Sequence, residues 1–271
     1  MKKKRVKMLI ILLLVLFFGG FIYIDNHTLS VTHITLETEK IEEQIKIVHL
    51  SDLHNDTFGK DNQRLIEKVK DQNPDIIVFT GDLVTRSDTK YDTMVETLSG
   101  LGQIKPVYYV AGNHEHDFIY ESALYAELKR QGIKVLNNET DRITVKNTTL
   151  SIQGLDLFEM EQGKAEKILT SFEKEPYYKL VLSHYPENFD DLYSNYTVDL
   201  VMSGHAHGGQ IILPFFGGVY SPGQGLHPKY YGGLYKKNSV NMVVSRGLGN
   251  SLIIPRVFNP PDIVVISLKK K

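Results

Sequence analysis

The chain has 271 residues, 42% of them apolar and 23% charged, with a formal net charge of −1. This is globular composition, enough for a full core in one large domain or two small ones. Its ten histidines come with no cysteine, which excludes disulfides, thiolate metal sites and a cysteine nucleophile, and leaves His, Asp, Glu and Asn to hold any metal.

The chain starts with a basic segment, residues 1–7 ("MKKKRVK"), succeeded by residues 8–24 ("MLIILLLVLFFGGFIYI"), seventeen uncharged and mostly apolar residues. That run is just long enough to cross a bilayer core. The five basic residues ahead of it predict a single-pass protein of the cell membrane, with its N-terminus cytoplasmic and the remainder extracytoplasmic. No small-x-small cleavage site comes after the run, so an uncleaved signal anchor is expected rather than a removed signal peptide. Residues 25–44 read as a short tether and a first strand, and residues 45–271 as the main folded domain. Setting the basic segment aside leaves 26 basic against 32 acidic residues, a net charge of about −6, which argues against a nucleic-acid partner.

Five short apolar runs come next: "IKIVHL", "DIIVFT", "VYYVA", "KLVLS" and "VDLVMS". Unbroken rather than alternating apolarity predicts strands buried on both faces. Amphipathic segments between them, "NQRLIEKVKDQ" and "ESALYAELKRQ", predict crossover helices and a largely parallel sheet.

The residues just beyond each run carry the chemistry. "SDLH" brings Asp52 and His54, "GDL" Asp82, "GNHE" Asn113 and His114, "SHYPE" His184, and "GHAH" His205 and His207. A lone Asp or His at a strand end is usually a cap or a hydrogen-bonded structural residue. Eight such residues at the same end of five strands are better explained by one site, since ligands of open α/β sheets bind outside the carboxyl ends of the strands. His27, His33, His49, His116 and His227 lack this placement and read as structural. Imidazole with carboxylate suits Mn, Fe, Zn or Co. The ligands outnumber the four of one tetrahedral ion, so two divalent ions are expected, with Asp82 as the natural bridge.

The ordered series "SDLH", "GDLV", "GNHE", "SHYPE", "GHAHGGQ" resembles the calcineurin-like metallophosphoesterases. The stretches "YSPGQGLHPKYYGGLY" and "SRGLGNSLIIPRVFNPPDIVVISL" further resemble a membrane-anchored bacterial subgroup of YkuE- and YaeI-like phosphoesterases. The resemblance implies a four-layer α/β/β/α sandwich of two mixed sheets, preceded by one transmembrane helix, with "RITVKNTTLSIQGL" in the second sheet. It places Asp52, His54 and His207 on a first metal and Asn113, His184 and His205 on a second, with Asp82 shared and catalytic. Asn113 and His114 would touch the substrate phosphate, and His114 would stabilise the transition state or protonate the leaving oxygen. A hydroxide bridging the metals would attack phosphorus in a phosphate ester, a phosphodiester foremost. Family members commonly carry Asp where this chain has Glu115, and Thr where it has Ala206.

Other readings use the same ligand types. A non-catalytic phosphate-binding sensor has little need of His114 as a proton donor, and a metal-dependent nuclease normally wants a basic groove. Arg246 is a candidate phosphate contact, with a structural salt bridge as its alternative. "ILPFFGGVYSPGQG" would bring Phe215, Phe216 and Tyr220 near the site's mouth, although core packing is the commoner reason for such aromatics. The short tether would keep a domain with a radius of gyration of about 18 Å close to the bilayer, favouring a lipid or cell-envelope phosphoester. In "SGHAHGGQ", His205 and His207 would project to one side of an extended chain, while Gly204, Ala206, Gly208 and Gly209 let the backbone pass close to a crowded centre.

Overall fold

The computed structural model describes residues 2–158, 160–251 and 254–271. Helix α1 (Lys2–His27) meets the rest of the chain only near its C-terminal end, and none of its apolar span is buried. Only Thr28 and Leu29 separate it from β1 (Ser30–Thr38). The stretch expected to be a tether is therefore a tight junction, because Asp25–His27 complete the helix instead of leaving it.

A first sheet contains β1, β2 (Ile45–Leu50), β3 (Ile76–Thr80), β4 (Val107–Val110) and β5 (Lys134–Val135). A second begins with β6 (Thr140–Val145), β7 (Thr148–Gly154), β8 (Tyr178–Leu182) and β9 (Leu200–Ser203). Two small hairpins come after it, β10 (Ile212–Leu213) with β11 (Gly217–Gly218), and β12 (Tyr220–Ser221) with β13 (Gly225–Leu226). β14 (Gly233–Lys237) and β15 (Val240–Val244) return to the second sheet, and β16 (Asp262–Lys270) crosses back to the first. The strand orders are β1-β16-β2-β3-β4-β5 and β14-β15-β9-β8-β7-β6.

The five apolar runs all form strands, and their burial explains why they do not alternate in polarity. In β2 and β3, Ile45, Ile47, Ile76 and Val78 face the second sheet, while Val48, Leu50, Ile77 and Phe79 face the helices. In β8 and β9, Leu180, Leu182, Leu200 and Met202 face the first sheet, while Val181 and Val201 face outward onto α6 (Lys164–Phe172). Both faces are dry, so both must be apolar. The outer layer on the first sheet is made by α2 (Gln63–Asp71), α3 (Asp92–Gly102) and α5 (Glu121–Arg130), through Leu65, Val69, Leu98, Leu124 and Leu128. The expected four-layer sandwich of two mixed sheets is present. Parallel neighbours run through β2-β3-β4-β5 and β7-β8-β9-β15, whereas β16 against β2, β6 against β7 and β14 against β15 are antiparallel. The sheets are thus less uniformly parallel than crossover reasoning alone implied.

Leu180 is fully buried between the sheets, so Leu180→Ala should cost about 2–5 kcal/mol and lower the melting temperature by roughly 5–15 °C. Phe215, which is fully exposed, should tolerate the same truncation within about 0.5 kcal/mol. Calorimetry of the two variants checks the contrast.

Candidate metal centre

The carboxyl ends of β2, β3 and β4 from one sheet and of β8 and β9 from the other meet at one point. There the chain turns sharply. Asp52, His54, Asp82, His205 and His207 all take left-handed φ values, between 47° and 65°. Such values are uncommon for residues other than glycine, and they cluster where side chains must be aimed. The turns need adjacent glycines: a Cβ at Gly112 would collide with Asp82, and one at Gly204 with Ser51 and Asp52.

Two groups of buried ligand atoms result, Asp52, His54, Asp82 and His207 in one and Asp82, His184 and His205 in the other. Asp82 belongs to both. Its Oδ1 accepts the His114 N–H at 2.9 Å, while its Oδ2 lies 3.5 Å from His54 Nε2 and 3.2 Å from His184 Nε2. His54 Nε2 is 3.2 Å from His207 Nε2, His184 Nε2 is 3.1 Å from His205 Nδ1, and His207 Nε2 is 3.6 Å from Asp52 Oδ1. Most of these separations lie close to the roughly 3.0–3.4 Å that atoms about 2.1 Å from a common ion keep from one another. Asn113 opens α4 (Asn113–His116), and its Oδ1 is buried and accepts no hydrogen bond. Such an orphaned oxygen fits an ion it would coordinate.

Three of the four imidazoles are held in the neutral form that ligation needs. Burial pushes His54 and His205 down to about 3, and burial together with the nearby Arg256 guanidinium holds His207 well below the ordinary imidazole value, so these rings are neutral. His184 goes the other way. Burial alone would lower it, but the adjacent Asp82 carboxylate raises it, and the same contact holds Asp82 below the usual carboxylate range against its own burial. His184 Nδ1 lies 2.7 Å from the Thr80 carbonyl, so this nitrogen carries a proton and Nε2 faces the site, as a metal ligand requires.

His114 is nearly buried and stands edge-on to His54, ring centroids 4.6 Å apart. Its Nδ1 accepts the Arg86 N–H at 3.2 Å, which puts the proton of the neutral ring on Nε2. Burial keeps the ring below its ordinary pKa. Glu115 does not orient this ring. Its carboxylate accepts the N–H groups of Gly112, Asp82, Leu83 and Val84 at 2.7–3.2 Å, tying the loop that carries Asp82 to the loop that carries Asn113.

Arg246 takes its structural alternative. Its guanidinium binds Asp262 at 3.1 Å and Ser30 at 3.2 Å. His49, read as structural, pairs with Thr80 at 2.8 Å inside the core. The pair in "SGHAHGGQ" is not extended: Ala206 is α-helical in φ and ψ, and His207 begins a short 3-10 turn. Left-handed backbone, rather than strand alternation, sends the two rings to different groups. The small residues have the expected role, since a Cβ on Gly208 would strike Asn259 and one on Gly209 would strike Gly218.

Two residues that no motif singled out complete the site. Arg256 is fully buried and donates to the carbonyls of Gly249 and Arg246 at 3.0 and 2.7 Å, with Nη2 3.4 Å from His207 Nδ1. Asn259 donates to the carbonyls of His207 and Gln210 at 2.7 and 3.2 Å. Both lie in a stretch that carries the subgroup resemblance, as a polar pair within the Pro-rich "IIPRVFNPP", but nothing in that spacing shows that it folds back onto a loop about fifty residues earlier.

A family profile described as calcineurin-like phosphoesterase matches residues 45–209. The "uncharacterized metallophosphoesterase YkuE" of Bacillus subtilis is 30% identical over 261 residues, covering 93% of this chain and 90% of that protein. A zebrafish (Danio rerio) "transmembrane protein with metallophosphoesterase domain" is 28% identical, over 89% of this chain and 57% of its own length. Among solved structures, the Thermus thermophilus sulfate thiohydrolase SoxB shares the fold with a TM-score of 0.51 at 12% identity, over 83% of this chain and 56% of that one.

Glu115→Gln replaces one acceptor oxygen with a donor facing backbone N–H groups, at a cost of about 1–3 kcal/mol. Metal affinity should fall about 10–100-fold, as read by elemental analysis after dialysis alongside a thermal melt.

Proposed function

Because this chain belongs to the calcineurin-like phosphoesterase family, we propose that its Asp–His cluster holds two divalent cations and hydrolyses phosphate esters. Asp52, His54 and His207 hold one ion, Asn113, His184 and His205 the other, and Asp82 is shared. The observation that carries this reading is the position of Asp82 Oδ2, within 3.5 Å of imidazole nitrogens from two separate ligand groups. The donor set of imidazole, carboxylate and one amide suits Mn, Zn, Fe or Co.

A cation pair in such a site supplies an activated water and positive charge for the phosphate oxygens. The chain's own residues do the rest. Asp82 keeps Oδ2 free by using Oδ1 to fix the backbone of His114. His114, with its Nδ1 occupied by the Arg86 N–H, offers Nε2–H to a phosphate oxygen or to the leaving oxygen as it gathers charge. Asn113, one residue earlier on α4, presents its orphaned amide oxygen as the second ion's ligand.

The helix α1 acts as a single-pass anchor with its basic end in the cytoplasm, and the substrate is a phosphoester, most simply a phosphodiester, of a membrane lipid or cell-envelope polymer. The apolar, exposed α1 and the transmembrane character in the name of the zebrafish relative support this placement. The acidic balance of the remaining chain argues against a nucleic acid.

Turnover of bis-p-nitrophenyl phosphate by the full chain in detergent should vanish on chelation and return with Mn. His205→Ala should lose activity together with one of two bound ions by elemental analysis. His114→Ala should keep both ions yet lose about 10²–10⁴-fold in kcat. Activity that survives chelation would overturn the two-metal reading. A substrate panel in mixed micelles should favour phospholipids over soluble nucleotides in kcat/KM, and the opposite preference would remove the lipid reading alone.

A further inference from the structure

The aromatic residues after the histidine pair are not core. Phe215 and Phe216, at the tip of the β10–β11 hairpin, are 105% and 76% exposed, and Leu226 in β13 is 71% exposed. Ile254 and Phe258, from the segment that carries Arg256, are each more than half exposed. Phe215 and Phe258 also hold left-handed backbone, φ 70° and 53°. Bulky side chains rarely adopt this conformation, which costs roughly 1–3 kcal/mol at each site. Exposed aromatics held outward on strained turns call for a partner that covers them.

The position of these residues identifies the partner. Phe258 packs its ring on Phe21 of α1, centroids 5.1 Å apart. Asn26 and Arg256 exchange two hydrogen bonds, Nδ2 to the Arg256 carbonyl at 2.9 Å and the Arg256 N–H to Oδ1 at 3.0 Å. The Asn259 N–H donates to Asp25 at 3.1 Å. The hairpin is joined to the same segment, the Ile212 N–H donating to the Val257 carbonyl at 3.0 Å. It is also joined to the metal centre, the Val219 N–H donating to the Gly209 carbonyl at 3.1 Å, two residues after His207. One ring contact and a set of hydrogen bonds therefore tie the end of α1, the Phe258 segment and the hairpin beside the histidine loop together, with Phe215, Phe216, Leu226, Ile254 and Phe258 exposed along them.

We propose that this rim, centred on Phe215 and Phe216, inserts into the bilayer surface next to α1, docking the metal centre's mouth at the level of the lipid headgroups. The occupant is the bilayer because these residues are tied to the C-terminal end of a helix long and apolar enough to cross a membrane, none of whose apolar window is buried by protein. A water-facing catalytic domain would gain nothing from Phe215 in a strained conformation. An interfacial one seats such rings about 5–10 Å into the headgroup and acyl boundary. The inference rests on the proposed anchoring role of α1 but not on the phosphoesterase chemistry.

The chain has no tryptophan, so a single substitution provides a unique reporter. Full-length Phe215→Trp and Phe216→Trp variants are reconstituted into phosphatidylcholine–phosphatidylglycerol vesicles, with and without phosphatidylcholine brominated near the carbonyl end of its acyl chains. Tyr177→Trp, just ahead of β8 and so at the opposite end of that strand from the site, is the control. Both rim variants should emit at shorter wavelength than the control and lose about half their intensity to the brominated lipid, while the control is unaffected. Chain that co-floats with vesicles but shows rim emission no more quenched than the control overturns the docking inference alone. Blue-shifted but unquenched emission does the same, and assigns the rim to a second protein copy. Chain that fails to co-float overturns the anchoring role of α1 and this inference with it, leaving the phosphoesterase assay to stand by itself.

Discussion

One carboxylate oxygen, Asp82 Oδ2, lies where the two sheets meet, facing an imidazole from each, His54 after β2 and His184 after β8. Around it are two more imidazoles, Asp52 and the orphaned oxygen of Asn113, all buried. Packing this many lone pairs together without a cation is unfavourable, because the neutral imidazole nitrogens of His54 and His207, 3.2 Å apart, repel unless a proton or an ion lies between them. The rest of the molecule can be understood as the frame that forces this approach. Two dry sheets packed face to face leave their carboxyl ends adjacent, and the buried inter-sheet core, with Leu180, Met202, Ile47 and Val78, fixes the distance between them.

The frame alone does not aim the side chains. Five ligands sit in left-handed turns, each turn opposed by the ordinary preference of a residue with a Cβ. Backbone hydrogen bonding that the turns would otherwise lack holds them in place. Glu115 gathers four N–H groups from two loops, and Asp52 accepts the His205 N–H at 3.0 Å, locking a loop of the second sheet onto one of the first. Glu115 therefore serves the backbone rather than the His114 ring.

The sequence disclosed this centre because its candidate ligands come directly after short apolar runs that read as buried strands, and because five motifs come in a fixed order. Asp52, His54, Asp82, His184, His205 and His207 could all be named from that pattern. The backbone geometry could not. "GHAH" looks extended when read as residues i and i+2, yet a left-handed turn at His205 and at His207 is a three-dimensional compromise with Ser51 and Asn259 that no local spacing encodes. Arg256 and Asn259 were invisible for the same reason, since their role depends on a chain reversal that brings "PRVFNPP" under the histidine loop. Arg246, with the same charge only ten residues earlier, binds Asp262 instead. Composition cannot distinguish these two arginines, whereas burial does. Phe215 and Phe216 misled in the opposite sense, because apolar residues are usually core, and only the fold shows these two facing outward.

The junction between α1 and the domain gives that outward face its meaning. A flexible tether would let the domain tumble over a membrane, so the site would meet the surface only in a fraction of orientations, and the effective concentration of a bilayer substrate would fall accordingly. Here two residues link helix to strand, and Asp25, Asn26 and Phe21 are each bonded or stacked to the segment that carries Arg256, Phe258 and Asn259. Arg256 and Asn259 in turn touch His207 and its backbone. These contacts join the helix end, the exposed rim and the His207 loop, so with α1 in a bilayer, as proposed, the angle of the helix would set the height and direction of the metal centre's mouth. On that placement folding would already fix the orientation that a tethered domain has to find at each encounter, and the ordering cost of meeting a bilayer substrate would fall.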